Sequence, residues 1–384
     1  YGAPSSTLGN PNFVSGFVGF SALVPLVIFF IEKKKFWFIT AILTIPLSVF
    51  VILRTNSIQG IFAFASTLVM GATLFIRLRY RKYFVALFSM ILVGVLLSIL
   101  GIMDKGPLAA LLHKSSLFSR FDYWRAAIAM TIHHPIFGVG FDAYGDFYPT
   151  FRDQAAFDRF AGSQGSDTPH NVPLDYFASG GVPLGILFLL IELVPVILLA
   201  RHLVKLGELD FTKIALVAIF TGYFTQSFVS PNQMGVSIWG WIFSGLAYSW
   251  VRPRIQEENN VSKGFVIRLV GLGSIILAPL VALPPLIQDH QFLVAAKKAD
   301  GQRIIAVTES WPRDTKRFIM TESGLTNGGY DALAKKVILK GLEHNPNSFA
   351  LWKALNGNKL STPVEVARAL TEMRRIDPRS ESPK

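Results

Sequence analysis

The chain has 384 residues, of which 51% are hydrophobic and only 16% are charged. This composition, with a mean hydropathy of +0.43, excludes an ordinary soluble domain and indicates a polytopic membrane protein. The net charge of +12 lies in short basic clusters at the ends of apolar runs, which is how topology is encoded, so nucleic-acid binding is not expected. Disulfides and thiolate sites are excluded because there is no cysteine.

The chain opens at Tyr1 without an initiator Met or a signal peptide, which predicts a fragment that lacks its N-terminal part. Four apolar runs follow, each about long enough to cross a hydrocarbon core of roughly 30 Å. Basic clusters fall at every second boundary between them, as the positive-inside rule requires. The four predicted crossings are Asn12–Ile31, Phe36–Leu53, Ile58–Ile76 and Phe84–Met103.

Four more crossings are predicted in the second half, which makes about eight in total. The basic clusters of this half also fall inside, so the polar loop at about 104–181 and the tail from Gln288 are expected outside. The predicted fold class is all-α, a polytopic transmembrane bundle at 1–287 followed by a small helical domain at 288–384. The later crossings are Val182–Leu199, Lys213–Val229, Gly235–Val251 and Phe265–Ile287.

The tail carries charges throughout and has helical periodicity, with amphipathic runs at 330–343, 348–355 and 363–375. Breaks at Pro346 and Pro378 lie about 32 residues apart, close to the period of tetratricopeptide-like helical hairpins. A generic helical tail would give the same pattern. Either reading makes the tail a docking or stabilising element rather than a catalytic one.

The stretch Ser119–Gly185 is the one long polar region of the first three quarters, and His170 is its candidate general base. A neutral imidazole accepts a proton from a hydroxyl near pH 7. The alternative is a histidine that caps or anchors the helix that follows. Asn171 either orients the imidazole ring or caps the same helix.

Arg120 precedes Trp124 and an apolar helical run. A guanidinium at the membrane surface offers five fixed donors, which suit the oxygens of a diphosphate. Arginines near an interface also commonly extend to the headgroups, which is the structural alternative. Arg125 is expected on the solvent side of the same helix.

Other polar features of the membrane region favour structural roles. The segment 135–141 predicts a turn rather than a nucleotide loop, because no strand precedes its Gly-x-Gly. His133 and His134 are adjacent and face different directions on a helix, so no metal site is expected. Glu192 lies within a predicted crossing, where a carboxylate is either functional or engaged in a packing hydrogen bond.

Together these motifs resemble a known family. Arg120 with Trp124, then HPIFGVGFDAYGDFY, then PHNVPLDYFASGGVPLG, resemble the signature of the O-antigen ligase and polymerase superfamily. The opening Gly9-Asn10-Pro11-Asn12 and the stretch Ser57-Ile58-Gln59-Gly60 are similar to further landmarks of that family. The resemblance runs from about Tyr1 to Val251.

The resemblance implies a GT-C-like membrane glycosyltransferase of the bacterial inner membrane that uses no metal or other cofactor, with its site on the periplasmic or outer side. Such enzymes move a saccharide from an undecaprenyl diphosphate carrier to a hydroxyl of a lipid, glycan or protein, as in lipopolysaccharide assembly. It implies that His170 is the base or acceptor binder and that Arg120 grips the diphosphate. The further residues expected to bind substrate are Arg54, Arg125, Asn171, Gly138, Gly140 and Gly181.

Two positions depart from the family pattern. The family often has Ser-Arg-Gly where this chain has Ser57-Ile58-Gln59-Gly60, so a second arginine is missing or is replaced by Arg54. The ligase pattern also expects a glycine three residues after Gly181, whereas here it is Gly185. Both departures weaken the assignment to lipopolysaccharide ligase proper, but not the assignment to the superfamily. Members of the family with helical-repeat tails are often polymerases or ligases of unassigned substrate.

The leading hypothesis is therefore an O-antigen ligase-like transferase, and a cell-surface polysaccharide polymerase differs from it only in the acceptor. A lipid-linked saccharide transporter is the rival from another class. It would be expected to show internal repeats and broken helices at the midplane. A non-catalytic membrane scaffold for the tail would tolerate replacement of His170 and Arg120.

Overall fold

The computed structural model describes residues 6–112, 115–159, 165–251 and 261–381. Over these residues the chain is helical without any strand, so the predicted all-α class is confirmed. The chain divides into two compact units, residues 1–253 and 254–384. The helices of the first unit are α1 Pro11–Ser21, α2 Val24–Glu32, α3 Lys35–Arg54, α4 Ile58–Arg79, α5 Phe84–Ile102, α6 Ala109–Leu112, α7 Ser115–His133, α8 Tyr144–Phe151, α9 Gln154–Arg159, α10 Val172–Leu206, α11 Phe211–Ser227 and α12 Met234–Val251.

Six helical stretches of the described chain are long and apolar enough to cross a membrane, which confirms a multi-pass membrane protein. The other two predicted crossings are α11 and α12, helices of 17 and 18 residues that pack in the same bundle as α10. A total of eight crossings stays a prediction. The six stretches are Pro11–Glu32, Lys35–Arg54, Ile58–Arg79, Arg81–Ile102, Val172–Leu206 and Gly271–Lys297.

The first crossing is two helices rather than the single predicted run. Helix α1 ends at Ser21 and α2 begins at Val24, with Pro25 in its first turn. Proline is accommodated in a first turn because its missing N–H would have no intrahelical partner there. Two of the family landmarks are helix N-caps: Asn10 accepts a hydrogen bond from Asn12 N at 2.8 Å, and Ser57 caps α4.

The core of the first unit lies where α1, α4, α10, α11 and α12 meet. Glu192 of α10 is fully buried there, and the Tyr223 hydroxyl donates to its Oε1 at 3.3 Å. The Ser244 hydroxyl of α12 donates to the Glu192 carbonyl oxygen at 2.8 Å. Glu192 therefore makes the packing hydrogen bonds that one of the two sequence readings expected.

The second unit is a chain of consecutive helices that pack in sequence order. The three amphipathic runs of the tail form α16, α17 and α18, and a capping box of Thr362 with Glu365 begins the last of them. The tetratricopeptide-like character of the tail and the division at residues 287 and 288, which falls within α13, stay predictions. The helices are α13 Val261–Lys297, α14 Gly301–Glu309, α15 Thr315–Asn327, α16 Asp331–His344, α17 Phe349–Gly357 and α18 Pro363–Ile376.

Candidate functional site

The candidate site is built on α7, which packs against α8 and α10. Ala126 and Ala127 are fully buried on one face of α7 and allow the helices to approach closely. Tyr144 and Tyr148 of α8 are buried against the same face, and the Tyr144 hydroxyl donates to the carbonyl oxygen of Tyr123 at 2.8 Å. This small core fixes the position of Tyr123.

His170 lies at the end of that loop, directly before α10. Its backbone has a φ of 50°, in the left-handed region, and its N–H donates to Thr168 Oγ1 at 3.3 Å. Histidine is one of the few non-glycine residues that tolerate this conformation. The conformation turns the half-buried imidazole onto Tyr123, and the two rings stack with centroids 5.7 Å apart and planes at 28°.

Arg120 lies one helical turn before Tyr123, on the same side of α7. Burial lowers the pKa of the Arg120 guanidinium, although the group stays charged at neutral pH. Burial also lowers the pKa of His170, and the positive charge of Arg120 lowers it further, whereas Asp167 opposes the shift. Arg120, Tyr123 and His170 therefore share one site, in which the imidazole is neutral near pH 7.

A second charged cluster adjoins this site around Asp122. The Asp122 carboxylate is fully buried, with Oδ1 2.5 Å from Arg125 Nη2 and Oδ2 3.2 Å from Arg159 Nε. Burial raises the pKa of Asp122, and the two arginines oppose that shift. Asp122 thus connects α7 to α9 through Arg159, and Arg125 also pairs with Asp153, which lies between α8 and α9, at 2.8 Å.

The predicted substrate-binding arginines are in different environments. Arg125 is about half exposed, as expected, but two carboxylates already engage its guanidinium. Arg54 ends α3 with an exposed side chain. At the family's Ser-Arg-Gly position Gln59 is buried, and its amide donates to the Val229 carbonyl at 2.5 Å. A glutamine at this position therefore connects α4 to the chain after α11 rather than offering a charge.

Asn171 is the N-cap of α10. Its Oδ1 accepts a hydrogen bond from Leu174 N at 3.0 Å, and its side chain is buried. Capping satisfies one of the free N–H groups of the first helical turn. The sequence left two roles for Asn171, to orient the imidazole ring or to cap the helix, and the structure shows the cap. The cap also ties the position of the neighbouring His170 to the start of α10.

The three predicted glycines form a backbone contact between the turn after α7 and a break in α10. Gly181 interrupts α10 with φ 76° and ψ −178°. A Cβ on Gly138 would lie 2.4 Å from the Ser179 carbonyl carbon, and one on Gly181 would lie 2.6 Å from Ile136. Only glycine allows this approach, and Gly138, Gly140 and Gly181 all have positive φ.

Hydrogen bonds of the turn replace those lost at the break. Val139 N donates to the Ala178 carbonyl at 2.8 Å, Gly140 N donates to Ser179 at 3.0 Å, and Val182 N donates to Pro135 at 2.8 Å. Backbone groups of both halves of α10 are thereby satisfied. The turn thus joins α7 to α10, and so fixes the spacing between the helix that carries Arg120 and the helix that His170 precedes.

Sequence reasoning missed Tyr123 and Asp122. The available signal for Tyr123 was its spacing of three from Arg120, which places two residues on one helical face. Asp122 had the same spacing of three from Arg125, but its second arginine partner, Arg159 in α9, is remote in sequence and gave no signal. Over the described residues, no group of three or more metal-ligating side chains is present.

Comparison with known proteins supports the same region. A family model described as O-Antigen ligase matches residues 43–189, which include α4 to α9, the whole polar stretch and the first half of α10. No curated protein and no solved structure gives a significant match to the chain. The chain is thus a multi-pass membrane protein whose residues 43–189 form a domain of the O-antigen ligase family.

Proposed function

We propose that this protein is a membrane glycosyltransferase that moves a saccharide from an undecaprenyl diphosphate carrier to an acceptor hydroxyl. The family match supports a glycosyltransferase-like function, and the donor and reaction are our proposal. The observation that carries it is the shared site of Arg120, Tyr123 and His170. The site thus combines a cation, Arg120, for the leaving diphosphate with a base, His170, for the attacking hydroxyl.

In the proposed reaction His170 acts on the acceptor. Its neutral imidazole takes the proton of the acceptor hydroxyl while the hydroxyl oxygen attacks the anomeric carbon of the donor sugar. The lowered pKa of His170 supports this role, because a larger fraction of the imidazole is neutral near pH 7. The Tyr123 ring would hold the imidazole plane, since the two rings stack.

Arg120 acts on the donor in the same step. As the bond between the anomeric carbon and the diphosphate oxygen breaks, negative charge grows on the diphosphate. A guanidinium that is already partly withdrawn from water stabilises that charge more strongly than a solvated one. We therefore propose Arg120 as the principal diphosphate ligand, with no requirement for a metal ion.

Arg125 and the glycines receive secondary roles in this proposal. The half-exposed face of Arg125 borders the substrates while its ion pairs hold the loop. Gly138, Gly140 and Gly181 contribute by fixing the site rather than by touching a ligand. By the distribution of basic clusters we place the site and the tail on the periplasmic side of the inner membrane.

A ligase and a polymerase would both use Arg120 and His170, and they differ only in the acceptor. A ligase transfers the glycan to a lipid or protein hydroxyl, and a polymerase transfers it to another saccharide repeat. The products separate these possibilities: a glycan on a new carrier is expected from a ligase, and a longer chain on undecaprenyl diphosphate is expected from a polymerase.

The proposal is tested in a cell that lacks its own ligase and is supplied with undecaprenyl-linked saccharide. His170→Asn is the preferred variant, because asparagine accepts the left-handed backbone at this position but cannot act as a base at neutral pH. Arg120→Ala removes the proposed diphosphate ligand. Matched controls are His133→Ala and Arg201→Ala, which change exposed side chains of the same types.

Transfer by the wild type and both controls, with loss in His170→Asn and Arg120→Ala at equal membrane levels, is the expected result. Equal transfer by all five proteins would refute the catalytic assignment and favour a scaffold. Movement of lipid-linked saccharide across the membrane without transfer to any acceptor would refute the enzyme and favour the transporter.

A further inference from the structure

An apolar groove lies between α2, α4 and α11, formed by residues other than those of the proposed catalytic site. It encloses about 370 Å³ and is lined almost entirely by apolar side chains. Gly71 of α4 and Ala215 and Ala218 of α11 line it without filling it. Phe30 and Leu68, which also line it, are 37% and 43% exposed, so the groove opens at the surface of the bundle.

The groove follows α11 from Phe211 to Ile219. At a rise of 1.5 Å per residue this distance is about 12 Å along the helix axis. One leaflet contributes roughly half of a hydrocarbon core of about 30 Å. The groove therefore has the depth that one lipid acyl chain occupies in a single leaflet.

Aromatic rings and a lysine form one end of the groove. The Phe30 and Phe211 rings stack with centroids 4.9 Å apart, and Phe75 also stacks with Phe211, with centroids 6.3 Å apart. Lys33 Nζ lies 5.1 Å from the centroid of Phe30 and 5.7 Å from that of Phe211. This cation–π arrangement holds the ammonium group beside the apolar groove.

Charge at the same helix ends favours an anionic headgroup. Lys33 follows α2 directly, Lys35 begins α3, and Arg77 and Arg79 lie in the last turn of α4. The nearest acid in sequence, Glu32, pairs with Lys34 at 2.8 Å. Basic side chains at the ends of membrane helices attract anionic lipids, and each contributes to that attraction.

We propose that this groove binds an anionic glycerophospholipid, with one acyl chain in the groove and its phosphate against Lys33. The apolar lining accounts for binding of the acyl chain, and Lys33 accounts for selection of an anionic headgroup. A zwitterionic phospholipid with the same acyl chains offers the same apolar contact without the net negative charge. Phosphatidylglycerol is therefore expected to bind more tightly than phosphatidylcholine.

The test measures lipid retention by the purified full chain with native mass spectrometry. Phosphatidylglycerol and phosphatidylcholine of matched acyl chains are added in separate titrations. Gly71→Leu fills the groove: the first carbon at Gly71 would lie 3.6 Å from Ala218 Cβ, an ordinary contact. Gly94→Leu is the matched control, because nothing lies within 4 Å of that position on α5. Lys33→Gln removes the charge and leaves the apolar lining intact.

Phosphatidylglycerol should bind the wild type at least about fivefold more tightly than phosphatidylcholine, because one basic side chain at an anionic surface contributes about that factor. Lys33→Gln should reduce this preference by about fivefold, Gly71→Leu should lose both lipids, and Gly94→Leu should behave as the wild type. Equal binding of the two lipids by the wild type, or unchanged binding by Gly71→Leu, would overturn the proposal. Retention of a polyprenyl phosphate in preference to phosphatidylglycerol would overturn it as well.

Discussion

The ring of Tyr123 stacks on the imidazole of His170, with centroids 5.7 Å apart, although the two residues lie far apart in the polar stretch Ser119–Gly185. Tyr123 also lies one helical turn from Arg120, so it neighbours both the proposed base and the proposed diphosphate ligand. Burial raises the pKa of the Tyr123 phenol, which keeps it neutral. The stack therefore provides orientation and apolar contact rather than charge.

Tyr123→Ala should reduce transfer by about two- to tenfold, because an aromatic pair contributes about 0.5–1.5 kcal/mol beyond its buried area. Tyr123→Phe keeps the ring and should retain more than half of the activity. The initial rate at saturating donor is the measurement. A Phe variant as impaired as the Ala variant would show that the hydroxyl, rather than the stack, matters.

The rate of transfer should rise with pH through the pKa of His170, because only the neutral imidazole accepts the acceptor proton. Burial and then Arg120 lower that pKa below its usual value of 6.5, so the wild-type profile should already be flat at neutral pH. In Arg120→Lys the acidic limb of the profile of rate against pH should stay at the same pH, because a positive charge remains beside His170.

Residual activity of Arg120→Ala gives the complementary result. Removal of the positive charge favours the protonated imidazole, so the pKa of His170 should rise and the acidic limb should move to higher pH. A limb at the same pH in the wild type and in Arg120→Ala would contradict the electrostatic contact between Arg120 and His170.

Gly138→Ala and Gly181→Ala should both destabilise the first unit by about 2 kcal/mol or more, because each combines a positive φ with a Cβ that meets backbone. Gly94→Ala is the control, since its Cβ meets nothing within 4 Å. Thermal unfolding in detergent is the measurement. Wild-type stability in Gly181→Ala would mean that α10 is not broken and docked as described.

Asp122→Asn should destabilise the loop by about 1–2 kcal/mol. This is less than the cost of breaking a fully buried ion pair, because its arginine partners are roughly half exposed. Limited proteolysis should detect faster cleavage near α9. Asp158→Asn, at an exposed position, is the matched control. Equal cleavage of the two variants would show that Asp122 does not anchor α9.

The fold followed from sequence where a single physical signal dominated. Long apolar runs bounded by basic clusters predicted α3, α4 and α5 to within a few residues, because hydrocarbon thickness fixes their length. The amphipathic period likewise predicted α16 and α18. The break between α1 and α2 was missed, because apolar composition continues across it and only Pro25 marks it.

The site was predictable in its residues but not in its contacts. The glycines at 138 and 181 stood out in sequence, but their role depends on two backbones meeting in three dimensions. Asn171 could be read as a cap because capping is local. The pairs of Asp122 with Arg159 and of Tyr123 with His170 join segments far apart in the chain, and no local pattern encodes them.

The most direct test of the account separates donor binding from transfer in the purified full chain. Undecaprenyl-diphosphate-linked saccharide and a hydroxyl acceptor are supplied in the presence of a metal chelator, and donor affinity and product formation are measured separately. His170→Asn should bind donor as the wild type does but form no product, whereas Arg120→Ala should lose donor affinity. Product formation by His170→Asn at the wild-type rate would contradict the account.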